Sequence, residues 1–387
     1  MIDFTLTDEQ QMLVEMTRSF VEKEMLPHEE TLESTDTLPP ELAASLRKRS
    51  MELGLHACNL PEKIGGGGLD AVSVMLIEKE LGRTSLALAE CAHRPLNILA
   101  ACEDEQVTQF LEPTLRGEKR DCIAMTEPGA GSDLRGMKCK AVREGGYWII
   151  NGEKHFISQA FISDFCVLFA ATGEEKTNKG IKKLISAFLV DFSDPGVEVA
   201  PGYKNVSHRG YTNNILRFDN ARIPEWRIMG PEGDGFRLVN QWLGPTRLTV
   251  AATCVARAER AFEIALNYAA TREQFGQKIG KFQGISFPLA DMTTEIKLAN
   301  LMLLETAWKI DRGIVTPEDC AMTKLYCTEM LARVADQALQ TVGGMGLMED
   351  LPLERIWRDA RVERIWDGTS EIQRHIISRG LLRPLGS

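Results

Sequence analysis

A chain of 387 residues, 44% hydrophobic and 26% charged, has room for roughly two or three domains around a large core, which excludes a disordered or low-complexity protein. Its formal net charge of -10, with no block of Lys and Arg, argues against a nucleic-acid surface. Nine scattered cysteines without a CxxC pair or matching His spacing point to reduced thiols and no metal site. The acidic start MIDFTLTDEQ carries no leader, and no uncharged apolar run reaches the roughly 18 residues of a membrane span, so a cytoplasmic location is expected.

In chain order, Thr7 and Gln10 have capping-box spacing, and Leu13, Met16 and Phe20 follow on one face, predicting a helix from Asp8 to about Met25. A loop should follow. Pro39 and Pro40 suit the first turn of a second helix ending at Gly54, and a third should run through Val74, Ile77 and Leu81 to Leu88. The four glycines of NLPEKIGGGGLD lack the lysine of a phosphate loop and read as a flexible joint. From Cys122 the composition turns aromatic and β-branched. Asn151-Gly152 gives a hairpin signal, with further strands at Asp164 to Ala170, Ser186 to Phe192 and Asn214 to Phe218. Helical periodicity returns after Gly235 in long segments, Leu248 to Arg272, Ile285 to Arg312 and Pro317 to Gly343, with another after Thr369. The expected fold is mainly α with an inserted β domain: an N-terminal helical domain (1–121), a β-barrel-like middle domain (122–234) and a C-terminal four-helix bundle (235–387).

Four stretches could carry chemistry. TEPGAGSD, Thr126 to Asp133, combines small residues that let backbone approach a ligand with hydroxyls that can bond it, though it also reads as a tight turn. TREQFGQKIGKFQ, Thr271 to Gln283, offers the Arg272 fork for a phosphate, or simply a cation at a helix C-terminus. QTVGGMG, Gln340 to Gly346, is a Gly-rich helix stop. IWDGTSEIQ, Ile365 to Gln373, sets Asp367 before a glycine and a helix start capped by Thr369 or Ser370, where free N–H groups suit a phosphate or a polar cofactor edge; a plain capped turn is the bland alternative.

In this order and spacing the four motifs, together with the LTDEQ start and the PEKIGGGGLD joint, resemble the acyl-CoA dehydrogenases over the whole chain. The resemblance implies FAD as cofactor, an acyl-CoA substrate, a homotetramer, electron-transfer flavoprotein as acceptor, and a place in fatty or carboxylic acid catabolism. It places Met125, Thr126, Phe156 and Ser158 around the isoalloxazine and Ser132 at the cofactor phosphate or the acyl thioester. Arg272, Phe275 and Gln283 would reach the FAD of a neighbouring subunit, with Gln340, Gly343 and Gly344 on its adenosine half and Thr369 and Glu371 at the helix start. Asp367 would remove the α proton, with Arg247 and Gly368 beside the substrate.

The sequence departs from the family pattern at several points. Asp367 stands where the family usually has Glu before GTS, and Thr246 where some relatives carry a Glu base. Gly244 replaces a cleft Asp, and Glu371 a common Gln. Asp at the base position also occurs in nitroalkane oxidases of the same fold, so a flavin oxidase acting on a nitroalkane or other small carbon acid is the alternative. A non-catalytic helical scaffold is a second one, and the intact Asp367 argues against it. The shorter base suggests an acyl group branched or cyclic near the thioester.

Overall fold

The computed structural model describes residues 5–177 and 180–386; Met1 to Phe4, part of the start read as leaderless, lie outside them. Helix α1 (Asp8–Phe20) begins in the expected capping box, Thr7 Oγ1 accepting from Gln10 N and Gln10 Oε1 from Thr7 N, and continues to Met25 through one π-type turn. The segment expected to be a loop contains a helix, α2 (Glu29–Thr35). Long-range charge explains it. The buried Glu29 carboxylate accepts bonds from Arg260 (2.8 Å), Arg355 (2.7 Å), Thr84 Oγ1 (3.0 Å) and Ser85 N (3.0 Å), partners invisible to local periodicity.

Helix α3 (Pro40–Glu52) leads to Gly54, which has φ +71°. The glycine run is not a loose joint. A Cβ at Gly66 would lie 2.2 Å from the Leu60 carbonyl oxygen and one at Gly67 2.8 Å from Cys58 Cα, so backbone packs on backbone there. Helix α4 (Ala71–Leu81), capped by Asp70, stops at Gly82 instead of reaching Leu88 because Gly82 abuts Thr253, where a Cβ would come within 2.6 Å of Thr253 Cα. The short helices α5 (Leu86–Ala89) and α6 (Glu112–Leu115) complete the N-terminal part.

The middle of the chain forms one eight-stranded sheet from β1 (Asp121–Ala124), β2 (Lys140–Glu144), β3 (Tyr147–Ser158), β4 (Phe165–Thr177), β5 (Gly180–Asp191), β6 (Val197–Ala200), β7 (Asn213–Pro224) and β8 (Ile228–Met229). Strand order is β6-β7-β3-β2-β4-β5-β8, with β1 parallel to β4. Both faces of β4 and β5 are covered. Phe165, Val167, Phe169, Ile185 and Leu189 meet Phe110, Leu238 and Trp242, while Cys166, Leu168, Phe188 and Val190 meet Trp148, Ile150 and Leu216. That alternation is the period of two that a strand imposes. The expected hairpin at Asn151-Gly152 is a bulge within β3. Gly152 lies against Cys139, where a Cβ would be 2.7 Å from its Cα, and Asn151 Oδ1 accepts from Asn220 N. The reversal occurs at Gly145-Gly146, both at positive φ.

Helix α7 (Gly235–Thr271) starts well before Leu248 and runs through Pro245, since Leu238, Val239 and Trp242 anchor its first turns on the sheet. Helices α8 (Gln283–Asp311), α9 (Pro317–Val342), α10 (Leu353–Glu363) and α11 (Ser370–Leu382) follow; α10 carried no sequence expectation. Ala251, Ala252, Ala258, Ala261 and Ala265 of α7 face the bundle and let α9 approach, so helical segments from both ends of the chain share one core. Glu29, bonded to α7 and α10, is the charged centre of that junction. Glu29→Ala would leave Arg260 and Arg355 short of a counter-charge and is expected to cost about 3–5 kcal/mol, against almost nothing for the exposed Glu30→Ala, read from urea unfolding midpoints.

Candidate active site

Between α10 and α11 the chain reverses through two consecutive left-handed residues, Asp367 (φ +50°) and Gly368 (φ +89°). Glycine is required at the second, where a Cβ would come 2.7 Å from Gln373 Nε2. The turn is tied on several sides. Gln373 Nε2 donates to the carbonyls of Asp367 (3.2 Å) and Gly368 (2.8 Å), Lys324 Nζ reaches the Gly368 carbonyl from α9 (3.0 Å), and Ser370 Oγ bonds Glu329. Thr369 Oγ1 caps α11 by accepting from Ile372 N.

Burial pushes the Asp367 carboxyl up to about 6, and the Glu363 charge adds to this while Lys324 and Arg247 oppose it. Both cations are themselves buried, and burial pulls their basicity down. Asp367 is among the charges that counter this for each of them. Among the described residues Arg247 Nε has no hydrogen-bond partner. A carboxylate so placed is more basic than one in water and is held beside two cations and a fixed backbone turn, an arrangement suited to taking a proton from a neighbouring carbon acid.

Four of the predicted residues gather where the end of β1 meets β3. Met125 O accepts from Lys154 Nζ (3.0 Å) and Thr126 O from His155 N (2.8 Å), which joins the end of β1 to β3 beside Phe156. Ser158, two residues on, bonds Tyr211, whose phenol is pushed up first by burial and then by the Glu90 charge. Phe156 is 57% exposed at φ +57°, and its ring lies near Tyr203 and His155. Ser132 is exposed further along the Gly-rich loop, where Gly129 faces open space and a Cβ at Gly131 would meet only Thr126 Cγ2, at 4.0 Å. That loop has an anchor sequence reasoning missed: buried Glu127 accepts from Lys138 N, Cys139 N and Lys154 Nζ.

The remaining predicted residues stand apart. Arg272 closes α7, Phe275 tips a ribbon of β9 (Glu273–Gln274) and β10 (Gln277–Lys278), Gln283 opens α8, and Gln340 precedes Gly343 and Gly344 at the end of α9; all are exposed. At 1.5 Å per helical residue, Gln340 is about 24 Å along α9 from Lys324, and Arg272 about 38 Å along α7 from Arg247. One chain therefore does not bring them to Asp367. Phe275 is 93% exposed at φ +50°, a bare aromatic on left-handed backbone, which fits a surface completed by something outside the chain. The Glu371 carboxylate caps its own backbone N–H and bonds Thr369, which holds its pKa low.

Other functional neighbours gave little sequence signal. Lys324 reads as one polar residue on a long helix, and Gln373, although inside the IWDGTSEIQ stretch, shows its role only once the turn is folded.

Three family models cover nearly the whole chain: acyl-CoA dehydrogenase N-terminal domain over residues 7–118, middle domain over 122–221 and C-terminal domain over 233–382. An acyl-CoA dehydrogenase of Bacillus subtilis (strain 168) is 36% identical over 97% of this chain and 99% of its own. Among solved structures, butyryl-CoA dehydrogenase from Megasphaera elsdenii superposes with a TM-score of 0.90 at 31% identity, covering 99% of this chain and 100% of its own. The FAD complex of PigA gives 0.90 at 30% identity, over 98% and 99%.

The Asp367 carboxyl should titrate near pH 6, and Lys324→Met should move that midpoint upward by removing an opposing positive charge. Infrared difference spectra across pH, with Asp367→Asn identifying the band, measure both; a midpoint near the ordinary aspartate value of about 4 would contradict the assignment.

Proposed function

The chain belongs to the acyl-CoA dehydrogenase family, and on that premise we propose that it catalyses FAD-dependent α,β-dehydrogenation of an acyl-CoA thioester with Asp367 as the base. The observation that carries this reading is the half-buried Asp367 carboxyl, raised to about 6 on a turn held by Lys324 and Gln373. Above that pH the group is an anion whose solvation is poor, which favours proton uptake from the carbon next to a thioester carbonyl. Lys324 and Arg247 keep enough positive charge nearby for the anion to exist near neutrality.

FAD, when bound, accepts the hydride from the β carbon. The residues present fit such a group. Met125, Thr126, Phe156 and Ser158 offer backbone, hydroxyl and an exposed ring for a flavin, and Ser132 a hydroxyl for its phosphate or for the thioester. Arg272, Phe275, Gln283, Gln340, Gly343 and Gly344 offer a guanidinium, a bare aromatic and open backbone for the pyrophosphate and adenosine of a cofactor on another subunit. Thr369 caps the helix start that faces the cofactor, while Glu371, already engaged, contributes little beyond the cap. Arg247, with Nε unpartnered, and the Gly368 backbone border the substrate.

On this reading the protein is a tetramer of paired dimers, acts in the cytoplasm in carboxylic acid catabolism, and passes electrons to an electron-transfer flavoprotein. Among the described residues no helix is long and apolar enough to cross a membrane. Asp is shorter than Glu by one carbon–carbon bond, about 1.5 Å, so an acyl group branched or cyclic near the thioester brings its α hydrogen within reach.

The test is anaerobic flavin bleaching with butyryl-CoA, octanoyl-CoA, isobutyryl-CoA and cyclohexanecarboxyl-CoA, followed by air. Bleaching that persists in air supports a dehydrogenase, and rapid return of colour an oxidase. The rate should rise through pH 6 to a plateau as Asp367 ionises, and Asp367→Asn should slow it by about 10²–10⁴-fold with flavin still bound. A mutant reducing its flavin at the native rate would show that another residue is the base. Arg272→Glu sets like charge against the pyrophosphate and should strip FAD; a fully flavinated Arg272→Glu monomer would rule out the shared cofactor site.

A further inference from the structure

Beneath the Asp367 turn lies a buried ionic cluster that proton abstraction does not use directly. His208 sits on the connection between β6 and β7 at φ +51°, fully enclosed, its backbone N–H donating to Asp359 Oδ1 (2.7 Å). Its ring lies between two carboxylates one turn apart on α10: Nδ1 is 3.3 Å from Asp359 Oδ2 and Nε2 3.2 Å from Glu363 Oε1. Arg257 of α7 pairs with the same Glu363, and Glu363 also accepts from Trp366 Nε1 (2.7 Å). The Trp366 indole stacks on the imidazole, centroids 5.0 Å apart and planes 7° from parallel, and Tyr211 stands edge-on to both.

The protonation state follows from this geometry. Both contacts are close ion-pair contacts, neither ring nitrogen making an aligned hydrogen bond among the described residues; carboxylates only accept and a neutral imidazole has one N–H, so a neutral ring would set a bare lone pair against either Asp359 or Glu363. Charge balance agrees. With Arg257 as the other cation, a positive His208 makes the enclosed group neutral, whereas a neutral ring leaves one uncompensated buried negative charge. The imidazole pKa is accordingly raised: burial alone would lower it, but Asp359 and Glu363 outweigh that and the opposing Arg257 charge. The cation lies flat on an indole, an arrangement that attracts it to the ring face.

Resting on the function proposed above, we infer that His208 is a doubly protonated positioning residue: it clamps Trp366 between a stacked cation and Glu363 and so fixes the carboxylate of the next residue, Asp367. Trp366 is joined to Asp367 by one peptide bond, so a Trp366 backbone released by loss of its side-chain clamp passes its displacement to Asp367. The groups facing the ring are Asp359 and Glu363 from α10, Arg257 from α7, Trp366 from the turn and Tyr211 from its own segment.

The experiment has two arms on the flavin-loaded protein. In the first, ¹⁵N-histidine NMR follows the ring that disappears in His208→Gln. Two protonated nitrogens through pH 8, well above the ordinary imidazole midpoint of about 6.5, are expected; a single proton there overturns the inference. In the second, flavin reduction by a thioester is measured. His208→Gln and Trp366→Phe should each lower the limiting rate about tenfold to a hundredfold with little change in KM, and the double variant should be no slower than Trp366→Phe, because His208 acts through the indole. A native limiting rate in His208→Gln, or losses that multiply in the double variant, overturns it. If no thioester bleaches even the native flavin, the proposed reaction fails and the positioning role with it, while the first arm separately reports the protonation state.

Discussion

Everything at the candidate site depends on a backbone conformation that most residues avoid. Asp367 adopts a left-handed conformation at a free-energy cost that the surroundings must return, and Gly368, which adopts one freely, follows it. They do so through polar contacts on the peptide carbonyls: a buried ammonium from α9 and a buried amide from α11 converge on the Gly368 oxygen. Because Lys324 is enclosed, its bond is worth more than the same contact at a surface and also sets positive charge beside the carboxylate. One side chain thus both holds the turn that carries Asp367 and favours the ionised form of its carboxyl.

A second constraint is length. Helices α7 and α9 are stiff rods, and the exposed groups at their far ends are a few tens of ångströms from Asp367 by the rise of the helix alone. The Arg272 and Gln340 stretches and the Asp367 turn are therefore separate surfaces of one chain. On the function proposed above, association of copies would let both act on one cofactor, with the exposed Phe275 ribbon at the contact.

Much of this was legible in the sequence, for reasons that also explain the failures. Long helices with one apolar face, such as α8 and α9, declare themselves by period, and the aromatic and β-branched stretch after Cys122 declares the sheet. The Asp367 turn stood out through its place in the family pattern, since Asp-Gly-Thr-Ser taken alone reads equally as a capped turn at a helix start. Misreadings arose where distant atoms decide. Asn151-Gly152 carries hairpin chemistry, but packing against Cys139 makes it a bulge; α4 ends at Gly82 because α7 passes there; α2 exists because Glu29 meets arginines of α7 and α10. Lys324 and His208 left no local trace, since each acquires its role only from residues far away in the chain.

The Glu29 junction also bears on how the chain is made. Its bond to Arg355 spans 326 positions, and that to Arg260 spans 231. While the chain emerges from the ribosome, the sheet can close from neighbouring strands before those arginines appear, yet the first helices must wait with Glu29, bonded only to Thr84 and Ser85, lacking its counter-charges and with the apolar face of α4 uncovered. Synthesis should therefore pass through a prolonged state with an ordered middle and an unsettled beginning, the kind of nascent chain that needs a chaperone.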